Sequence, residues 1–255
     1  MILTIDVGNT NIVLSVYKDD TMLFSSRIST ISNKMEDEYA IDFLNILKLN
    51  GCSAEHFQGA ILSTVVPQLK SILIHAVERI FKCKVMVVSN QLNTGLNIRL
   101  KNPNALGSDR ICDAVAVKHL YSFPAVVCDL GTATTISAID KDSNFLGGAI
   151  FPGVYSSLKT LSNVTAQLPH IDLCEDCIET IGRDTTSAMH SGVVLGMASL
   201  MDGMAQRYKK ILGSDTILVA TGGLSDLIVP YCNERFISNK NLVSDGLYIL
   251  YKLNA

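Results

Sequence analysis

The chain has 255 residues, of which 48% are hydrophobic and 18% are charged. This composition supplies a sizeable core, excludes a disordered chain and allows one large domain or two smaller ones. The net charge of −3 offers no general attraction for nucleic acid or an anionic membrane, because those partners require clustered Lys and Arg. We therefore expect a small-molecule partner, with no nucleic acid and no membrane involved.

The N-terminus carries no basic segment or cleavage site, and no apolar run reaches the roughly 18–20 residues of a membrane span. We therefore expect a cytoplasmic protein. The seven cysteines are scattered along a chain too long to need disulfides, so reduced thiols are predicted. Cys174 and Cys177 form a lone Cys-x-x-Cys pair without the second pair of ligands of a structural zinc site. We predict ordinary thiols there too.

The first predicted strand runs into the turn "DVGNTN" at residues 6–11 and resumes at Ile12. A glycine in such a turn lets backbone N–H groups approach an anion, and Asn and Thr add neutral donors, so the turn can cradle phosphate oxygens. Asp6 would repel phosphate, and it is placed instead to hold a hydrated Mg²⁺ that bridges to the phosphates. A single Asp-x-Gly turn is, however, often just a tight turn.

Apolar residues at helical spacing follow the first predicted strands. Residues 36–49 carry apolar residues on one side and end at Asn50-Gly51, which is typical of a helix stop. The run "FQGAILSTVVPQL" predicts a buried strand that ends before Pro67, residues 69–81 predict a second helix, and "KVMVVS" predicts another strand.

The middle segment "IRLKNPNALGSDRICDAVA" at 98–116 places Gly107, Asp109 and Arg110 at a predicted helix start. Asp109 has the properties of a general base, because it is a carboxylate at a loop-to-helix junction beside a cation that can bind an anionic substrate. The alternative is structural. Ser108 or Asp109 would then cap the helix, with Arg110 a solvated charge.

The second half repeats the first hairpin. "CDLGTATTISAIDKDS" at 128–143 aligns without gaps with "IDVGNTNIVLSVYKDD" at 5–20, which matches Asp129 to Asp6 and Gly131 to Gly8. Two copies favour two phosphate loops that face each other across a cleft. The chain ends with a helix from about residue 186 to 212, a strand that finishes at Gly222-Gly223, where a flat ring such as adenine could approach, and a final helix. We predict two α/β lobes with mixed sheets, residues 1–115 and 116–255.

Two Asp-x-Gly hairpins and a late strand ending in Gly-Gly resemble the superfamily of acetate and sugar kinases, actin and heat-shock chaperone ATPases. The resemblance implies two duplicated ribonuclease-H-like lobes around a central cleft that binds ATP. Five motifs, in order and spacing along nearly the whole chain, are similar to those of the type III pantothenate kinases: "DVGNTN", "NPNALGSDR", "DLGTATT", "GGAIFPG" and "GRDTTSAMHSG".

This second resemblance implies ATP-dependent phosphorylation of pantothenate to 4'-phosphopantothenate, the first step of coenzyme A biosynthesis, by a homodimer whose subunits share the substrate pocket. It implies that Asp109 is the general base, that Asp129 binds a monovalent cation (K⁺ or NH₄⁺) and that Thr132 contacts ATP. The implied phosphate loop is Asp6, Val7, Gly8, Asn9, Thr10, Asn11, Ile12 and Val13, and the implied substrate-binding residues are Gly107, Ser108, Asp109, Arg110 and Thr185.

Two residues depart from the family pattern. Leu100 stands where the family has a substrate-contacting tyrosine just ahead of the Asn-Pro pair, and Asp184 stands where an asparagine is usual. We nevertheless predict that Leu100 contacts the substrate. One alternative function is a catalytically inactive, nucleotide-binding regulatory homologue, which only Leu100 favours. Another is a sugar or acyl kinase of the same superfamily.

Overall fold

The predicted hairpins and helices are present in the computed structural model, which describes residues 1–255. Acidic residues in the first turn of the helix Glu36–Leu49 and a left-handed Gly51 just beyond its end agree with the helix boundaries that the sequence indicated. None of the helices has both the length and the apolar character needed to cross a membrane.

The strands are β1 Ile2–Val7, β2 Asn11–Lys18, β3 Thr21–Ser29, β4 Gly59–Thr64, β5 Val85–Val87, β6 Asn97–Ile98, β7 Ala125–Leu130, β8 Ala133–Ile139, β9 Asn144–Pro152, β10 Ile217–Thr221 and β11 Ile237–Ser238. The helices are α1 Glu36–Leu49, α2 Lys70–Phe81, α3 Ser108–Leu120, α4 Val154–Val164, α5 Thr185–Leu212, α6 Ser225–Ile228 and α7 Leu242–Asn254.

The chain divides into two compact units, and the division cuts the chain more than once. The first unit comprises Met1–Gly95, Lys101–His119 and Leu242–Ala255, and the second comprises Leu96–Leu100 and Leu120–Asn241. The single boundary predicted after residue 115 assigned the C-terminal helix to the second half. In the structure α7 packs on β1 and β4, because its apolar side, which includes Leu247 and Leu250, is fully buried there.

Each unit is built on a mixed sheet, and five strands of the second sheet repeat the topology of the first, with β6 added at one edge. The first has the order β3-β2-β1-β4-β5, with β1 antiparallel to β2 and parallel to β4. The second has the order β11-β10-β7-β8-β9-β6, with β7 antiparallel to β8 and parallel to β10. The predicted duplication of an α/β element with a mixed sheet is therefore confirmed.

Alternation along β1 separates its core face from its polar face. Leu3, Ile5 and Val7 pack with α1 and α2 in the first hydrophobic core, so Thr4 and Asp6 must lie on the opposite face of the sheet. On β4 the residues of the core are Ala60 and Leu62. Asp6 and its neighbour on β4 therefore share the face that does not pack on α1 and α2.

The two hairpins differ by one residue at the turn. β1 pairs Val7 with Ile12, which leaves four residues between them, whereas β7 pairs Leu130 with Thr134, which leaves three. The gapless alignment is therefore wrong beyond the glycine, since Thr134 takes the structural place of Ile12 and not of Asn11. A shift of one residue moves a side chain to the other face of a sheet. This explains why Thr134 is buried, with its hydroxyl lacking a hydrogen-bond partner.

Cys174 and Cys177 form a disulfide at a short 3₁₀ turn. The prediction of ordinary thiols at this pair is therefore wrong. The turn brings the two Cα atoms to 5.3 Å, which is within the range that a disulfide spans. The remaining cysteines are free, as predicted: Cys52, Cys83, Cys112, Cys128 and Cys232.

Candidate active site

The turn of the first hairpin is anchored from β3. The Gly8 N–H donates to the Asn11 carbonyl at 2.9 Å and closes the turn. Thr30 holds it from the side, since its hydroxyl donates to the Gly8 carbonyl at 2.7 Å and its N–H donates to the Thr10 carbonyl at 2.9 Å. Asn9 and Thr10 are exposed, so the turn presents polar side chains from a fixed backbone.

The eight residues of the predicted phosphate loop differ in what they can offer a ligand. The side chains of Val7 and Ile12 are 0% exposed and belong to the first core, so only their backbone groups could take part. Asp6, Asn11 and Val13 are partly exposed. A phosphate would therefore be recognised by backbone N–H groups and by the polar side chains at the tip of the turn.

Asp6 lies in a row of side chains that crosses four strands. It pairs with Val13 on β2 and with Ser63 on β4, and Val13 pairs with Arg27 on β3. Directly paired residues project from the same face of a sheet. The carboxylate thus has a hydroxyl on one side and a guanidinium two strands away on the other.

The carboxyl group of Asp6 has an unusual proton affinity. Burial raises its pKa from 3.8 to about 7, and the negative charge of Asp109 contributes in the same direction. A hydrogen bond from Ser63 and the charge of Arg27 oppose the shift. The structure therefore brings together two carboxylates of the first unit that lie far apart in sequence, and it leaves Asp6 easier to protonate than a solvated aspartate.

Asp109 is the second residue of α3, at the loop-to-helix junction that the sequence predicted. The Arg110 N–H donates to its Oδ1 at 2.8 Å. The side chain folds back over Gly107, where a Cβ would come within 2.4 Å of that oxygen. A glycine at 107 therefore leaves room for Asp109 to hold this position. The Arg110 N–H belongs to the next residue, so this bond is not the contact that a helix-capping side chain makes two or three residues further on.

Ser108 is oriented into the protein. Its Oγ lies 2.9 Å from the Oγ of Ser63 and donates at 3.3 Å to the Thr64 carbonyl. Neither Ser63 nor Arg27 was identified from the sequence. Ser63 could have been noticed as a hydroxyl inside the otherwise apolar run "GAILS", but only the pairing of β1 with β4 shows that it adjoins Asp6.

The second hairpin holds Asp129 against the end of β10. Thr221 pairs with Asp129, and the next residue, Gly222, has φ +89°. A Cβ at Gly222 would lie 2.5 Å from the Asp129 Oδ1 and 2.6 Å from the Leu130 nitrogen. Gly222 is thus needed for close packing on the hairpin, while Gly223 is exposed.

Thr132 lies at the tip of the second hairpin and is exposed. Its carbonyl accepts the Gly153 N–H at 3.1 Å and the Ser156 hydroxyl at 2.7 Å. These two bonds tie the turn to the start of α4, so the second turn is also held from a neighbouring element.

Asp184 caps the long helix α5, which begins at the exposed Thr185. Its Oδ1 accepts the Ser187 N–H at 2.9 Å, and the Ser187 side chain bonds back to the backbone of Asp184. The Ser187 backbone bond is the main cause of a lowered pKa at Asp184. The departure from asparagine therefore keeps a strong helix cap.

Leu100 belongs to the second unit, whereas the predicted substrate-binding stretch 107–110 belongs to the first. The Leu100 side chain packs against Gly147 of β9, since its Cδ2 lies 3.3 Å from the position that a Cβ on Gly147 would take. Leu100 therefore makes an apolar contact with β9 of its own unit.

No group of three or more His, Cys, Asp or Glu side chains forms a ready metal site. Asp6 nevertheless fits a hydrated Mg²⁺, because it offers a carboxylate oxygen, because the negative charge of Asp109 beside it favours a cation there, and because Mg²⁺ keeps most of its waters. Asp129 offers a carboxylate oxygen, which is the donor type that a hard monovalent cation accepts.

Two surface grooves lie beside α1, away from these residues. One, of about 530 Å³, lies along α1 and α2, with Ile41, Leu44 and Ile80 in its lining. The other, of about 350 Å³, is lined by residues 28–49. Neither groove contains a predicted site residue, so neither groove is part of the candidate site.

The motifs of this site recur in a known family. The sequence profile of the type III pantothenate kinases matches residues 2–207. The chain belongs to the type III pantothenate kinase family. Membership makes it a kinase, and the matched range includes both hairpins and the helix start that carries Asp109.

Solved structures share the fold of this family member. One is a "conserved putative Baf family transcriptional activator" from Campylobacter jejuni, with 21% identity, a TM-score of 0.63, and 98% of this chain and 97% of that chain covered. Another is a "putative 2-dehydro-3-deoxygalactonokinase" from Sinorhizobium meliloti, with 13% identity, a TM-score of 0.61, and 99% and 96% covered. The ethanolamine utilization protein EutJ from Carboxydothermus hydrogenoformans has 15% identity, a TM-score of 0.54, and 97% and 89% covered.

Proposed function

We propose that this protein transfers the γ-phosphoryl group of ATP to pantothenate and forms 4'-phosphopantothenate, the first step of coenzyme A biosynthesis. The observation that carries the proposal is the family match over residues 2–207. The closeness of Asp6 and Asp109 supports it, because a phosphoryl-transfer site needs a group to hold the cation and a separate group to accept a proton.

Asp109 acts as the general base. The primary hydroxyl of pantothenate attacks the γ-phosphorus, the bond from that phosphorus to the bridging oxygen breaks, and ADP leaves with its electron pair. The hydroxyl proton passes to the Asp109 carboxylate, whose Oδ1 already accepts the Arg110 N–H. The oxygen that is free of this bond is the one available for the proton.

The polar tips of both hairpins bind the nucleotide. The turn at 8–11 and Thr132 contact phosphate groups, while Asp6 would hold Mg²⁺ and Asp129 would hold K⁺ or NH₄⁺. When bound, these cations neutralise the negative charge that develops on the phosphate oxygens. The two hydrogen bonds from Thr30 to carbonyls of the first turn reduce the reorganisation that phosphate binding requires of this turn.

Pantothenate is bound by the side chains of Arg110 and Thr185 and by the backbone of Gly107 and Ser108, with Leu100 as an apolar contact. Arg110 neutralises the substrate carboxylate. The active form in this proposal is a homodimer, which sedimentation of the purified chain would test.

Release of ADP from ATP and Mg²⁺ tests the proposal when it is followed separately with pantothenate and with a panel of sugars and sugar acids. The wild type should release ADP with pantothenate, and the D109N variant should lose about 100-fold or more in kcat while still binding ATP. D215N is the matched control, because Asp215 is exposed and bonds only to the neighbouring Ser214. Its rate should equal that of the wild type.

The same experiment separates the alternatives. Binding of ATP without release of ADP would identify the inactive regulatory homologue, and release only with a sugar or sugar acid would identify another kinase of the superfamily. Near-normal turnover by D109N would remove Asp109 from its role. The presence of Asp6, Asp109 and Asp129 argues against the inactive homologue, since such a protein has no use for a proton acceptor.

A further inference from the structure

Ser63 is a fully buried hydroxyl between the two carboxylates of the first unit. It ends the apolar run of β4, is 0% exposed, and pairs directly with Asp6 on β1. On its other side its Oγ lies 2.9 Å from the Oγ of Ser108, the first residue of α3. Asp109 is the next residue of that helix.

When Asp6 is ionised, the hydroxyl protons of Ser63 and Ser108 can be arranged in one way. A carboxylate only accepts, so Ser63 must donate its single proton to Asp6 and must accept at its oxygen. Ser108 then donates to Ser63 at 2.9 Å and can share its proton with the Thr64 carbonyl at 3.3 Å. The hydrogen bonds therefore run from Ser108 through Ser63 to Asp6.

The position does not need a hydroxyl for packing. The residues before Ser63 on β4, Ile61 and Leu62, are also 0% exposed and apolar, and an alanine would fit the space of a serine. A buried hydroxyl is unfavourable unless it is hydrogen-bonded. One partner of Ser63 is Asp6 on the first hairpin, which is proposed to hold the cation. The other is Ser108 at the start of α3, which precedes the proposed proton acceptor Asp109.

We propose that Ser63 is a positioning residue for phosphoryl transfer, which holds Asp6 and, through Ser108, the start of the helix that carries Asp109 at a fixed separation. The inference rests on the proposed function, since the separation matters only if Asp6 and Asp109 act on one reaction. Ser63 touches neither reactant. Its contribution is to keep the cation-holding group and the proton acceptor in register with each other.

The test compares S63A, S63T and S15A. Ser15 is the matched control because it is also 0% exposed in the same sheet and hydrogen-bonds to two serines at 3.0 Å, Ser25 and Ser244, away from Asp6 and Asp109. With pantothenate and ATP, S63A should lose on the order of tenfold to a hundredfold in kcat, with a smaller change in KM for ATP. S63T keeps the hydroxyl and should recover most of the rate, and S15A should stay within about twofold of the wild type despite a comparable loss of thermal stability.

Hydrogen exchange of the amides at residues 107–111 supplies a readout that needs no substrate. It should become faster in S63A and should not change in S15A, because Ser63 contacts Ser108 at the start of α3 and Ser15 does not. Unchanged exchange in S63A, a kcat within twofold of the wild type, or an equal loss of kcat in S15A would overturn the inference. A wild type that does not phosphorylate pantothenate would instead overturn the proposed function, and the exchange result would still decide whether Ser63 holds the helix start.

Discussion

The ionisation of Asp6 should make the folded protein less stable as the pH rises. Its pKa is raised from 3.8 to about 7, mainly by burial and secondarily by Asp109. A carboxyl group with a higher pKa in the folded than in the unfolded state binds its proton more tightly when folded, so stability falls as the pH rises from about 4 to about 7 and is lowest above that range. A D6N variant cannot ionise there, and it should be more stable than the wild type at pH 8.

The size of the effect follows from the pKa shift. An increase from 3.8 to about 7 is about 3 pKa units, or about 4 kcal/mol at 1.36 kcal/mol per unit. Asp6 is partly exposed, and contact with water reduces the cost of its charge, so we expect about 2 kcal/mol. For a chain of this length that corresponds to an increase of roughly 4–8 °C in the melting temperature of D6N over the wild type at pH 8.

Thermal and urea denaturation of D6N and the wild type at pH 5, 6, 7 and 8, without divalent cations, would measure this difference. The gain in stability should increase from pH 5 to about pH 7 and should level off above that pH. In a D109N background it should level off at a lower pH, because the repulsion from Asp109 is gone. D215N, which changes an exposed carboxylate, should show no such pH dependence. A D6N gain that is the same at every pH would refute the assignment of the raised pKa to Asp6.

Three further outcomes are expected. If Asp129 holds a monovalent cation, steady-state turnover should be several-fold faster in K⁺ or NH₄⁺ than in Na⁺ at equal ionic strength, and equal rates would count against that role. G222A should lower the free energy of unfolding by roughly 1–3 kcal/mol in urea titrations, because its Cβ would meet Asp129 and Leu130; G213A, also at positive φ but with open space around it, should cost less. D184A should lower stability by about 1 kcal/mol through loss of the α5 cap, and a variant as stable as the wild type would contradict the capping role.

Much of the fold was predictable because its elements carry strong local signals. Alternating apolar residues identified the hairpins, and Asn50-Gly51 marked the end of α1. The unit to which α7 belongs was not predictable, since the periodicity of a helix shows that it has an apolar face but not which sheet covers that face. The strands β6 and β11 have two residues each, which is too short for any periodic pattern.

The limits of the repeat have a similar physical origin. Asp6 and Asp129 are equivalent in the two sheets, as the sequence alignment indicated. The matching residue types in the two hairpins could not show that the second turn is one residue shorter, because pairing register depends on backbone geometry at the turn. The burial of Thr134 is the consequence.

The candidate site was predictable residue by residue but not as an arrangement. Asp6 and Asp109 were identified from short motifs, whereas their mutual repulsion arises only when β1 and α3 come together in one unit. Ser63 and Arg27 lie outside those motifs, and only strand register connects them to Asp6. Asp184 was recognised as a departure, and its purpose became clear from its bond to Ser187.

The most direct test of the account is the identity of the phosphorylated product. Mass spectrometry of a reaction with ATP, Mg²⁺, K⁺ and pantothenate should detect 4'-phosphopantothenate in amounts equal to the ADP formed, and D109N should form almost none. ADP without phosphopantothenate, or the same amount of product from D109N as from the wild type, would contradict the claim that Asp109 activates pantothenate for transfer.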